Sequence, residues 1–135
     1  MADFLYDPPL PEKPAKALQP ITQIIRLMQD KTEIAIARWH ASDPATGVVQ
    51  LIDLTVHAPY RRIRHGKRVM TAIVAQCHAW HASHGHNLRR IWMTLRQKEQ
   101  VIARAFFVQN GFTHTGTIKE LLCDEDALVY FRTFD

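Results

Sequence analysis

The chain has 135 residues, 47% of them hydrophobic, and a formal net charge of +4. That length suits one domain with its own core, and no apolar run approaches the roughly 18 residues a membrane helix needs. With Cys77 and Cys123 as its two cysteines, the chain cannot carry a disulfide framework. No basic-then-apolar leader follows Met1, so a reduced, cytoplasmic setting is expected. The charge is concentrated. Arg61, Arg62, Arg64, Lys67 and Arg68 contribute +5, which leaves the remainder of the chain at −1. A block of that kind points to a discrete anion site more than to a nucleic-acid coat, although a solvated loop has the same composition.

Residues 1–20 hold five of the seven prolines. This excludes a helix or a central strand and predicts an extended arm ahead of a single domain at 21–135. Ile21–Gln29 and Thr32–Ala41 read as a hairpin closed by Asp30-Lys31. In its second strand, strict alternation sets Ile34, Ile36 and Arg38 against Glu33, Ala35, Ala37 and Trp39. The first strand also fits a helical face, through Ile21, Ile24, Ile25 and Met28. Ser42–Gly47 is turn chemistry. Val48–Val56 is apolar enough for a central strand. A Pro-containing basic turn follows, and Lys67–Ser83 is helical, with Val69, Ile73, Cys77 and Trp80 on one face. Gly85 stops that helix. Ile91–Leu95 is a buried strand. Glu99–Gln109 is a second amphipathic helix, halted at Asn110-Gly111. Phe112–Ile118 and Ala127–Phe134 are strands joined through Cys123–Asp126. The last of these could lie at a sheet edge and pair with a second copy, which makes a homodimer one expectation.

A strand, a basic turn and a helix start together make a phosphate site, because the first N–H groups of a helix are unpaired and its dipole favours an anion. Arg61-Arg62-Ile63-Arg64-His65-Gly66 after Val56 resembles the Arg/Gln-x-x-Gly-x-Gly/Ala fingerprint of the GNAT superfamily of acyl-CoA-dependent N-acyltransferases. Gln100, Ala103, Phe106-Phe107 and Gly111-Phe112 match the spacing of that family's second landmark. The resemblance covers about residues 21–135. It implies an α/β fold with a mixed, mainly antiparallel sheet flanked by helices, in the order β-β-β-α-β-α-β-β, without the family's N-terminal helices. It also implies acetyl-CoA as acyl donor and a primary amine, on a small molecule or a protein, as acceptor. Arg61, Arg62, Arg64, His65, Gly66, Lys67 and Arg68 would line the pyrophosphate site. The backbone of Leu54, Thr55 and Val56 would pair with the pantetheine arm. Gln100, Arg104 and Phe107 would approach the cofactor from the second helix. Arg64 stands where the family has its first loop glycine, and Phe107 where it often has a general-acid tyrosine.

Acyl transfer to an amine needs a base for the ammonium and a proton for the leaving thiolate. Asp53 is the first candidate base and His57 the second; Tyr130 could supply the proton. Each has a bland alternative: a turn-facing carboxylate, a loop histidine, a half-buried sheet tyrosine. His78, His81, His84 and His86 invite a metal reading, but no Cys or acidic ligand accompanies them and histidines favour a helix C-terminus anyway, so no metal is expected. Three function classes follow. The first is an N-acetyltransferase. The second is a degenerate module of the same fold that binds CoA or a partner protein. The third is a nucleic-acid-associated protein using the basic block, which predicts steep salt dependence.

Overall fold

The computed structural model describes residues 2–9, 20–61, 63–98, 101–122 and 124–135, without the side chain of Ile63. Arg62, Gln100, Cys123 and most of the Pro-rich arm lie outside the described residues.

Among the described residues, seven strands form one sheet: β1 (Ala2–Asp7), β2 (Ile21–Gln29), β3 (Thr32–Ala41), β4 (Val48–Val56), β5 (Arg90–Arg96), β6 (Thr113–Leu122) and β7 (Glu125–Thr133). Their spatial order is β1-β2-β3-β4-β5-β7-β6. Only β4 and β5 run parallel. Two helices, α1 (Ile63–Ser83) and α2 (Val101–Gln109), complete the described fold. The predicted α/β architecture is therefore present, with one strand added at its start. Six residues of the arm form an edge strand on β2, with Phe4 opposite Leu27 and Tyr6 opposite Ile25. The strand is too short to announce itself by pattern, and it ends where Pro8 and Pro9 remove ladder donors.

The core follows the period-2 pattern. Ile25 and Leu27 of β2, Ala37 and Trp39 of β3, Val49 and Leu51 of β4, and Ile91 and Met93 of β5 are all buried. They face α1, which contributes Val69, Met70, Ile73, Cys77 and Trp80. The indole N–H of Trp39 donates to Gln76 Oε1 of α1 at 2.8 Å, which satisfies the one polar atom of that ring.

Two β-bulges correct the simple alternation. In β3, Ala35 pairs with Leu27 and Glu33 with Met28, so Ile34 is the extra residue. It is buried rather than on the face of Ile36 and Arg38. In β4, Trp39 pairs with Leu51 and Arg38 with Asp53, so Ile52 is the extra residue. Beyond it, Leu54 and Val56 join the helix side, while Asp53 and Thr55 turn to the other.

Two further expectations are corrected. Helix α1 starts at Ile63, four residues before Lys67, so Arg64, His65 and Gly66 belong to its first turns rather than to a loop. Strand β7 lies between β5 and β6, so it offers no edge to a second copy. The edges are β1 and β6, and the register of β6 breaks at two places.

Candidate functional site: a splay between two parallel strands

Parallel strands β4 and β5 pair only through Val48–Gln50 and Arg90–Trp92. Gly47 closes this end. Its carbonyl accepts from Arg89 N–H at 2.7 Å and Arg90 N–H at 3.0 Å. Its φ is +69°, and a Cβ there would lie 2.8 Å from the Asn87 carbonyl oxygen, so glycine is required. From Leu51 onward β4 keeps β3 on one side and, among the described residues, has no strand on the other. A sheet that opens in its middle exposes main-chain donors and acceptors as an edge does, but between two walls.

A cavity of about 390 Å³ lies at this opening. Leu54 and Val56 line it from β4, Arg61 and Gly66 from the start of α1, and Ile102, Phe106 and Phe107 from α2. Gly66 is what lets the two helices meet: a Cβ there would lie 2.7 Å from Phe106 Cε1. Ile102 is 79% exposed. An apolar wall left so open gains by being covered.

The predicted residues divide into two groups. Leu54, Val56, Arg61, Gly66 and Phe107 line the cavity. Arg61 is steadied there by its Nε–H, which donates to the Val56 carbonyl at 3.2 Å. Arg64 and Lys67 are exposed on the first turns of α1. His65 is half-buried, with Nδ1 buried and unpartnered among the described residues. Arg68 points elsewhere: it donates to the Ala2 carbonyl at 3.3 Å, with its guanidinium 5.8 Å from the centre of the Phe4 ring. Arg104 donates through Nη2 to the Gln97 carbonyl, and its Nε is buried with no partner among the described residues. Phe107 is buried between Phe106 and Phe112, at ring distances of 5.1 and 5.6 Å.

Asp53, Thr55 and His57 stand apart from that lining. Asp53 Oδ2 accepts from Arg38 Nη1 at 2.5 Å, and its Oδ1 is buried with no partner among the described residues. His57 Nε2 lies 2.6 Å from Glu33 Oε2, while Arg26 Nε lies 3.2 Å from Glu33 Oε1. Tyr130 is buried in the sheet against His114 and does not line the cavity. Sequence reasoning missed Arg26, Glu33 and Arg38. Their roles depend on strand register, and the bulges shift that register by one residue.

Among the described residues no three His, Cys, Asp or Glu side chains are placed to hold a metal ion. No helix among them is long and apolar enough to cross a membrane.

A model of the acetyltransferase (GNAT) family matches residues 5–112. Among curated proteins, none matches the sequence. Several solved structures share the fold. Ard1 from Thermoplasma volcanium has a TM-score of 0.69 at 15% identity, over 83% of this chain and 70% of that one. The ribosomal-protein-S18-alanine N-acetyltransferase from Escherichia coli has 0.65 at 16%, over 87% and 71%. Arabidopsis thaliana Naa50, in complex with the bisubstrate analogue CoA-Ac-MVNAL, has 0.68 at 21%, over 82% and 72%.

Proposed function

Because the chain belongs to the acetyltransferase (GNAT) family, we propose that it transfers an acetyl group from acetyl-CoA to a primary amine. The observation that carries this reading is the splay: β4 loses β5 after Gln50, and from Leu51 on no described strand pairs with it on that side. The pantetheine arm carries amides and is extended, so it suits such a gap as an added strand would. The lining fits the rest of the cofactor. Ile102, Phe106 and Phe107 offer an apolar wall, and Arg61 and the N-terminus of α1 offer positive charge for the pyrophosphate.

Acetyl-CoA supplies an activated thioester. The chain holds it, excludes water with the α2 wall, and polarises its carbonyl with strand N–H groups at the gap. The acceptor amine must lose a proton before it attacks, and Asp53 and His57 are the candidate bases.

A second reading, CoA binding without turnover, is favoured by one observation. Phe107 fills the position from which a tyrosine would donate a proton, and it is buried and apolar. Thiol release separates the two. The purified protein is given acetyl-CoA with a panel of amines: peptides with free N-termini, lysine-containing peptides and polyamines. Thiol release that depends on one amine class supports transfer. Cofactor binding with no thiol release above the buffer rate overturns transfer and leaves the binder.

A further inference from the structure

Among the described residues both helices pack on one face of the sheet. Helix α1 and Phe107 of α2 share one core cluster with Ile25, Trp39, Leu51 and Ile91. The other face is bare. An antiparallel sheet face that meets water alternates to polar residues. Here the five central strands each turn a large apolar side chain outward. Ile24, Ile36, Trp92, Val129 and Phe131 are half-buried. Ile52, the extra residue of the β4 bulge, is 45% exposed. Trp92 stands opposite Phe131 and Thr94 opposite Val129, so the apolar share is greatest on β5 and β7.

The charges on this face are sorted as well. On β1–β4, Asp3, Asp7, Glu33 and Asp53 stand against Arg26 and Arg38, which leaves that half at −2. Its arginines are already committed, Arg26 to Asp7 and Glu33 and Arg38 to Asp53. On β5, Arg90 and Arg96 are exposed and form no ion pair among the described residues. With Glu125 they leave β5 and β7 at +1. Arg90 lies over the Phe131 ring, 5.5 Å from its centre.

We propose that this face is the interface of a homodimer, with a two-fold axis along β4 and the two sheets face to face. Strand β4 is the middle one of seven. The axis therefore lays β5 and β7 of one copy over β3 and β2 of the other. Trp92 and Phe131 meet Ile36 and Ile24, Ile52 meets its own copy, and the positive half meets the negative half. Every contact then occurs twice, as a closed two-fold interface requires. Seven strands spaced about 4.8 Å apart and about 25 Å long present roughly 700 Å². Each partner in a standard interface buries about 800 Å². Trp and Arg are also the residues that such interfaces favour. Arg61, Ile102 and Phe106 line the cavity on the helix side, so pairing leaves it free.

The three tryptophans supply the test. Trp39 and Trp80 are buried, so acrylamide quenching of the free chain reports Trp92. Sedimentation velocity of the full chain from 1 to 100 µM (about the range of concentrations that resolves a micromolar Kd) should show a species of twice 15.6 kDa. Quenching should fall over the same range, towards that of the two buried indoles. Ile52 lies on the axis, so Ile52→Glu sets two carboxylates against each other and should weaken association by about 100-fold or more. Val108→Glu, at an exposed site of α2, should leave it unchanged.

A chain that stays monomeric throughout overturns the proposal, and another partner then covers the face. So does a dimer whose quenching does not fall as it forms, because that dimer uses another surface. Equal weakening by Ile52→Glu and Val108→Glu overturns it as well. The quenching readout uses the unmodified chain and does not depend on how either variant folds.

Discussion

Gly66→Ala tests the contact that joins the two helices. Two effects oppose each other. In a helix interior, alanine is favoured over glycine by about 1 kcal/mol. Here the new methyl would lie 2.7 Å from Phe106 Cε1 and 3.1 Å from Cζ. These are about 1 Å inside ordinary carbon–carbon contact. The ring lies 5.1 Å from the Phe107 ring, so giving way means disturbing that contact or swinging into the cavity it lines. Overpacking of this kind costs about 1–3 kcal/mol. The net effect is a loss of about 0–2 kcal/mol, and each kcal/mol is worth about 3–4 °C in Tm for a domain of this size. Gly66 and Phe106 both line the cavity, so acetyl-CoA affinity should fall further than stability, by about tenfold or more (~1.4 kcal/mol). Thermal melts and calorimetric titration of Gly66→Ala, Phe106→Leu and the double variant close a cycle. The two sites should couple by about 0.5–3 kcal/mol, with Phe106→Leu relieving the methyl. Strict additivity, or a Gly66→Ala protein that binds acetyl-CoA as tightly as the unmodified one, would refute this account of the α1–α2 contact.

Gln76→Leu orphans the buried Trp39 N–H and should cost about 1–3 kcal/mol in denaturant unfolding. Trp39→Phe combined with Gln76→Leu should cost less than the sum of the single changes. His81 is fully buried, its Nδ1 lies 2.8 Å from the Cys77 carbonyl, and its Nε2 has no partner among the described residues. Burial lowers its pKa from the ordinary 6.5, against the bond to Cys77, and His78, His84 and His86 add to the lowering. The unfolded chain therefore takes up this proton first. Stability from His81 is complete above about pH 6.5 and is lost as pH falls below it, through the folded-state value. Unfolding curves at pH 7.5 and 5.5 should show that loss, and His81→Leu should flatten it.

Much of the fold was legible because its signals were local. The β2–β3 hairpin and β4 have the predicted ends, since Asp30, Ser42–Gly47 and Pro59 punctuate them strongly. The start of α1 was not legible. Arg64, His65 and Gly66 look like a basic loop, yet they form the first turns of α1, where Gly66 packs closely on Phe106. Strand β1 was hidden by its length and by the prolines beside it. On the site, Val56, Arg61, Gly66 and Phe107 were named together through the family resemblance, and they line one cavity: the first three follow one another along β4, the turn and α1, while Phe107 comes from α2. The Arg26–Glu33–His57 and Arg38–Asp53 contacts were out of reach. They join residues 7 to 24 positions apart across strands whose bulges, at Ile34 and Ile52, change which side chains share a face.

The central claim, that the β4–β5 splay and the N-terminus of α1 hold an acyl-CoA, is tested most directly by calorimetric titration with acetyl-CoA and with desulfo-CoA. The account predicts saturable one-to-one binding of both. It also predicts that Arg61→Ala/Arg64→Ala weakens binding by about 10–100-fold, as the loss of charge-assisted hydrogen bonds to phosphate would, with circular dichroism unchanged. An unmodified protein that takes up neither ligand, or a double variant that binds both as tightly as the unmodified one, would contradict it.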